Sequence, residues 1–409
     1  MYSSGNLLKD LKIIVVGAGP GGLTFAKAAS LNGADVMVIE RAGSPHGLNP
    51  GYTDRSFNLT LNEVGRKILG EERAWQGGTD VIGRAIHNFQ NTGAIKYTEY
   101  GEGDKSILTS VPRPVLRQNL VNIVEDQGVK IHFHTKVVEV EPNLGKVVCE
   151  NKDAIKKELK ADVIVLADGI HSLSDVFITA LPGGSLGKKQ DPLSYISVML
   201  GQKAAKGLSS HHMHFWHKAG SESVAIGMPN KDGTIATLLI SPYKDVIDES
   251  PFSMPDQAIE RLKQDFPEVL SLEPDLANQV VGRKLGHFHY KSITNYILGD
   301  KCIVVGDAGS ASPPWAGFGA NTAIYSADVL ARFLIGCNGD IQEAFLGYEK
   351  YKIALAELVL DYANEHGEFL NKEVAERPEK RPIGPVLGQI INKAMEKSDI
   401  PDGVELLSF

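Results

Sequence analysis

What this chain lacks narrows its function at once. It holds three cysteines, Cys149, Cys302 and Cys337, too far apart for a disulfide framework or a metal-binding spacing, which fits a reducing compartment. No apolar run approaches the ~20 residues that cross a bilayer. Residues 1–12 are polar and carry no secretory leader core. An excess of basic residues is missing too, and a net charge of −8 argues against nucleic acid and acidic membrane surfaces as partners. No internal repeat or low-complexity segment interrupts the 409 residues, which suffice for two domains or one discontinuous one. A cytoplasmic protein with no integral membrane anchor and no metal is the expectation.

What is there is glycine, placed at strand ends. Residues 12–41 read as strand, tight turn, helix and strand, with Gly33 suited to the helix C-terminus. Gly17-Ala-Gly-Pro-Gly-Gly22 closes the first strand. The spacing of Gly17, Gly19 and Gly22 allows a sharp turn, close approach of backbone to a pyrophosphate, and tight helix–strand packing. The helix then offers free N–H groups and the positive end of its dipole. Glu40 ends the second strand and can bond ribose hydroxyls, with Arg41 beside it as a further cofactor contact.

Two more strand ends carry an acid. Ala167-Asp168-Gly169 closes the apolar run 162–167, the pattern of a strand buried on both faces. Aspartate at such a tip is costly without a partner or solvent; a solvated, turn-capping aspartate is the plainer alternative. Gly306-Asp307-Ala308 closes the strand 302–305 and leads through Gly-Ser-Ala-Ser-Pro-Pro-Trp-Ala-Gly-Phe-Gly-Ala-Asn321 into a helix. Asp307 can accept a ribityl hydroxyl. The 317–321 turn, with Gly319 and Ala320, can aim helix amides at the flavin N1/C2 carbonyl, where negative charge gathers on reduction. A glycine fingerprint alone indicates a dinucleotide; a strand-end Gly-Asp late in the chain, followed by a glycine-rich turn and a helix, indicates FAD.

The fold expected is α/β: a discontinuous Rossmann-type FAD-binding domain from 1–75, 111–180 and 298–340. An antiparallel-sheet substrate-binding domain from 76–110 and 181–297 is inserted, and a C-terminal helical segment covers 341–409. Within these, 111–126 and 256–266 read as helices, 129–140 as a strand and 141–160 as an exposed hairpin. Residues 212–216, 223–228 and 234–240 read as strands, 347–376 as helix and 377–385 as a proline-broken loop. His211-His-Met-His-Phe-Trp-His217 suggests zinc. On a strand, however, His212, His214 and Trp216 share one face while His211, Phe215 and His217 share the other, and no cysteine or carboxylate is near. A structural strand is expected.

Together these motifs resemble the class A flavoprotein aromatic hydroxylases, the para-hydroxybenzoate hydroxylase-like family, over most of the chain. Arg113-Pro-Val-Leu116-Arg-Gln-Asn-Leu120 is similar to the family's Arg-x-x-Leu-x-x-x-Leu helix, whose arginine contacts FAD. Arg55-Ser-Phe-Asn-Leu-Thr-Leu61, Gly83-Arg-Ala-Ile-His87, Met213-His-Phe-Trp216, Gly227-Met-Pro-Asn230 and Phe288-His-Tyr-Lys291 look, in order, like segments of its kynurenine hydroxylases.

The resemblance implies a monooxygenase in which NADPH or NADH reduces FAD. A flavin C4a-hydroperoxide formed with O2 would then hydroxylate kynurenine or a kynurenine-like aromatic amino acid. It also implies Arg55, Arg113, Asp168 and Asp307 as FAD contacts and Pro314, Gly317 and Asn321 as the catalytic turn. Arg84 and Tyr100, with Tyr97 as rival, would hold the substrate carboxylate, which suits a guanidinium fork and a phenol. Pro313, Pro314 and Trp315 would wall the site from water. Other aromatics (a phenol, salicylate-like acid or polyketide) and a non-oxygenating reductase or sensor stay open. No second glycine fingerprint is present, so NAD(P)H is expected to visit transiently. Two departures stand out: Asp175 where the family carries arginine, and Phe318 where kynurenine hydroxylases carry glutamine.

Overall fold

A computed structural model describes residues 6–46, 57–87, 93–100, 107–217, 221–242, 252, 254–371 and 386–409, with the side chains of Trp315 and residues 366–371 left out. Its first layer is a six-stranded sheet ordered Ile297–Leu298, Cys302–Val304, Val163–Leu166, Lys12–Val16, Asp35–Ile39, Lys130–His132. All its pairs are parallel except the one made by the short edge strand Ile297–Leu298. The valine- and isoleucine-rich central strands are buried on both faces, which is why they read as continuous apolar runs. The helices Pro20–Leu31, Arg113–Asp126 and Gly319–Gly336 pack into the same core. The two helices that follow the strand-end motifs, Pro20–Leu31 and Gly319–Gly336, are each uncapped by any side chain.

The second layer is a seven-stranded sheet ordered Gly286–Ile293, Leu186–Leu200, Ile235–Ser241, Val224–Pro229, His212–His217, Gly83–His87, Lys96–Glu99. Its pairs are antiparallel with one exception: Gly83–His87 runs parallel to His212–His217. Alternation gives the sheet two apolar faces. The back, with Ile196, Trp216, Ala225 and Leu239, is covered by the helices Pro255–Asp265, Pro267–Leu272 and Leu276–Val280. The front carries Met228, Leu238, Ile240 and Phe288, with Phe57, Tyr195, Met213 and Ile226 packed around them.

Several local readings change. The expected strand 129–140 is two: Lys130–His132 joins the parallel sheet, the chain turns at His134 (φ +52°), and Thr135–Glu141 starts another sheet. The expected hairpin is the rest of that sheet, Lys146–Asn151 and Lys156–Lys160, with Val147 and Cys149 buried. The helix expected from 111 begins at Arg113, because Leu108–Pro112 pairs with Asn58–Leu61 and Thr79–Val81. The long C-terminal helix is Ile341–Asn371 and the last Val386–Glu396; the 377–385 loop lies outside the described residues. Among the described residues, no helix is long and apolar enough to cross a membrane.

Candidate active site

Three motifs meet at the carboxyl edge of the first sheet, where open α/β sheets take their ligands. Lys12–Val16, Val163–Leu166 and Cys302–Val304 are parallel neighbours, so Gly17, Asp168 and Asp307 leave the sheet at the same end. Gly17 has φ +107°, and a Cβ there would lie 2.5 Å from the Ala167 carbonyl oxygen; at Gly22 it would lie 2.1 Å from that of Gly17. The turn therefore closes only with glycine at both positions. Gly19 and Gly319 differ: nothing lies within 4 Å of a Cβ built on either, so both helix N-termini open onto space.

Glu40 braces this turn, its Oε2 accepting from Ala18 N and its Oε1 from Ala42 N, each at 2.7 Å. Each oxygen keeps a lone pair for a hydroxyl. Arg41 and Arg113 are exposed. Arg117, which the family motif does not single out, reaches the turn: its Nε donates to Ala18 O at 3.3 Å and its Nη2 to Gly43 O at 3.2 Å. The only signal in the sequence is its place one helical turn after Arg113. Arg55 lies outside the described residues.

The two aspartates are under-satisfied. Asp168 Oδ2 accepts from Leu173 N at 2.8 Å, whereas its Oδ1 is buried and unsatisfied. Burial raises its carboxyl above the ordinary range, against hydrogen bonds from Ser172 and Leu173. Asp307 is half-buried and has no hydrogen-bond partner among the described residues. Burial raises its carboxyl too, while the charges of Arg113, Lys352 and Lys291 hold it down. A buried acceptor left unsatisfied costs about 1–3 kcal/mol. A phosphate-bearing, polyhydroxylated group at this edge would meet the orphan acceptors with hydroxyls and the open helix ends with phosphate, so the residues present fit FAD.

Asn321 is 1% exposed and fully engaged. Its Nδ2 donates to Thr60 O at 2.8 Å and Gly317 O at 3.3 Å, while Oδ1 accepts from Asn62 N at 3.0 Å. The side chain thus clamps the strand Asn58–Leu61 to the 317–321 turn. Gly317 is exposed at φ +66°, Pro314 is half-buried, and Phe318 stacks on Tyr362 of the long C-terminal helix at 5.4 Å. Asn58 Nδ2 donates onward to Asn230 Oδ1 at 2.8 Å, and Phe57 meets Tyr195 edge-on at 5.6 Å. The clamped strand therefore lies against the front face of the second sheet.

On that face Arg84 pairs in register with Met213 and Thr98. Its Cζ lies 5.1 Å from the Phe215 ring centre and 5.8 Å from that of Tyr100, and its Nε is buried without a partner. Tyr100 donates to Met213 Sδ at 3.3 Å; burial raises its phenol pKa, against the pull of Arg84. Tyr97 pairs with Ala85, one position out of step, so it points to the other face, half-exposed beside His212. Arg84 and Tyr100 come together; Tyr97 does not join them.

The histidine-rich strand is built into the back of the sheet. His214 Nε2 donates to Ser209 O at 2.8 Å, which leaves its Nδ1 to accept from His87 Nε2, also at 2.8 Å. His87 stacks on Trp216 at 4.5 Å. Asp175 bonds the buried ammonium of Lys291 and, at 3.2 Å, the ammonium of the exposed Lys188. Burial lowers the Lys291 pKa and Asp175 raises it.

A family described as FAD binding domain matches residues 10–346. The kynurenine 3-monooxygenase of Salinispora arenicola (strain CNS-205) is 25% identical over 373 residues, 89% of this chain and 81% of that enzyme. The enzyme of the same name from Xanthomonas campestris pv. campestris (strain B100) is 27% identical over 346 residues, 82% of this chain and 74% of its own. Among solved structures, the tetrameric form of 2-methyl-3-hydroxypyridine-5-carboxylic acid oxygenase superposes with a TM-score of 0.73 at 18% identity, covering 96% of this chain and 99% of that one.

Proposed function

Since the chain belongs to the FAD-binding-domain family, we propose that it is an FAD-dependent aromatic monooxygenase. It would take electrons from NADPH or NADH and hydroxylate a small aromatic acid, kynurenine or a kynurenine-like amino acid first. One observation carries the reading: two glycine-opened helix N-termini and two under-satisfied aspartates share the carboxyl edge of one parallel sheet. Similarity to two kynurenine 3-monooxygenases supports the choice of substrate.

Bound FAD supplies the redox chemistry, storing electrons from NAD(P)H and using O2 to oxygenate an electron-rich ring. The chain's own residues do the rest. The turn held by Gly17, Gly22, Glu40 and Arg117 presents first-turn amides to the pyrophosphate. Asp307 accepts a ribityl hydroxyl, and Asp168 offers its free oxygen. The amides of Gly319 and Ala320, at an uncapped helix N-terminus, would stabilise the negative charge that gathers on the reduced ring. Pro313, Pro314 and Phe318 form a stiff apolar border that keeps water out. Arg84 and Tyr100 take the substrate carboxylate, and the front of the second sheet receives its ring.

The experiment is direct. Purified protein should be yellow, and NAD(P)H oxidation should rise when L-kynurenine is offered within a panel of aromatic acids, with a hydroxylated product by mass spectrometry. A colourless protein that ignores added FAD ends the proposal. A yellow one stimulated only by another aromatic acid ends the kynurenine part.

A further inference from the structure

The long helix Ile341–Asn371 buries a lysine under the Asp307 loop. Lys352 is 3% exposed, its Nζ donates to Ser310 Oγ at 2.7 Å, and it sits 5.7 Å from the Tyr296 ring centre. Ser310 closes the turn that carries Asp307: Gly309 N and Ser310 N both donate to Gly306 O at 3.0 Å. A buried ammonium with one neutral hydroxyl partner is costly unless an anion stands near.

Asp307 is that anion: burial lowers the Lys352 pKa to about 8, and Asp307 is what holds it up. The nearby Glu349 is engaged elsewhere, its Oε2 accepting from Tyr296 N at 2.5 Å and Ile297 N at 2.9 Å. Three cations act on Asp307. Arg113, at the start of its helix, is exposed to solvent. Lys291, from the strand Gly286–Ile293, is matched by Asp175. Lys352 alone of the three is buried with Asp307 as its counter-charge.

We propose that Lys352 is a positioning residue for the cofactor: its buried ammonium, fixed by Ser310, keeps the Asp307 carboxylate ionised and aimed to receive a cofactor hydroxyl. The inference rests on the flavin reading of the Asp307 loop. It makes the C-terminal helix part of the cofactor's binding apparatus.

The test measures the FAD dissociation constant from pH 5 to 8, as the fluorescence released when holoprotein is diluted. Wild type is compared with Lys352→Met, Lys352→Arg and Ser310→Ala. Wild-type affinity should fall on acidification, as Asp307 takes up a proton. Lys352→Met should weaken binding about tenfold or more at pH 7 and move the acid midpoint up by about one unit, the size expected from losing a neighbouring opposite charge. Lys352→Arg should restore both.

Lys352→Met with wild-type affinity overturns the inference. So does weaker binding with an unmoved midpoint, since that marks a structural role only. If Lys352→Met does not fold, Ser310→Ala decides: binding about threefold weaker supports the inference and wild-type binding overturns it. A wild type that holds no FAD ends both this and the flavin reading; FAD held alike by every variant ends this one alone.

Discussion

Asn321 Nδ2 donates to the carbonyl of Thr60 at 2.8 Å across 261 residues of sequence. That bond and its partner to Asn62 N couple the 317–321 turn to the strand leading toward Arg84's sheet face. Asn321→Ala would remove the donor to the half-buried Thr60 carbonyl and the acceptor of the buried Asn62 N, at about 1–3 kcal/mol for a buried group left unsatisfied. A lower urea midpoint with reduced flavin content is the expected result; unchanged unfolding would show the clamp to be idle.

The glycine turn separates folding from binding. Gly22→Ala places a Cβ 2.1 Å from a backbone oxygen and should unfold the protein or sharply lower its Tm. Gly19→Ala meets only open space, at an ordinary φ of −84°. It should keep the wild-type Tm of the flavin-free protein while losing FAD affinity tenfold or more, because its methyl occupies phosphate space. Thermal melts and FAD titration of both variants check the contrast.

Asp307→Ala should weaken FAD retention by about 10–100-fold, the range set by one charge-assisted hydrogen bond of roughly 1.5–3 kcal/mol. Asp307→Asn, nearly the same size but uncharged, should recover only part. Full flavin loading of both after gel filtration removes Asp307 from the cofactor.

Arg84→Ala should raise KM for an acidic aromatic substrate about tenfold or more and leave flavin content alone, since Arg84 sits in the second sheet. Tyr100→Phe should do the same more weakly, and Tyr97→Phe should do nothing. An effect of Tyr97→Phe equal to that of Tyr100→Phe would reverse the choice between the two tyrosines.

The His87–His214 pair makes a pH prediction. Burial lowers the His87 pKa to about 4, and the His214 pKa falls for the same reason. The unfolded chain binds these protons near the ordinary value of about 6.5, the native state only at lower pH. Stability is therefore full above pH ~6.5 and is lost as pH falls toward 4, by up to about 3 kcal/mol for His87. Urea midpoints at pH 7.5 and 5 should differ accordingly, and His87→Phe should flatten the difference. A slope that survives the substitution would assign the acid sensitivity elsewhere.

Those parts of the fold built from local pattern were readable in advance. Residues 13–16 of the first strand and all of Val163–Leu166 and Cys302–Val304 are apolar because parallel sheets are covered on both sides. Their glycine and aspartate ends could be named before any coordinates. Leu186–Leu200 escaped because it opens on Gly187-Lys-Lys-Gln190 and shifts register between Gln190 and Ser194, so no alternation announces it. Tyr97 and Tyr100 could not be told apart until strand pairing fixed which face each takes. Arg117 and Lys352 belong to helices whose own patterns say nothing of the loops they reach; only tertiary packing joins them.

The parallel pairing of Gly83–His87 with His212–His217 also governs how the molecule is born. His87 and His214 are 127 residues apart, so at about 5–20 residues per second a ribosome needs roughly 6–25 s to deliver the second after the first. Throughout that interval the early hairpin has a raw edge and no mate. Completion must wait for late synthesis, so a nascent polypeptide halted before residue 212 should recruit chaperones and resist maturation, however much of its nucleotide-binding sheet has already emerged.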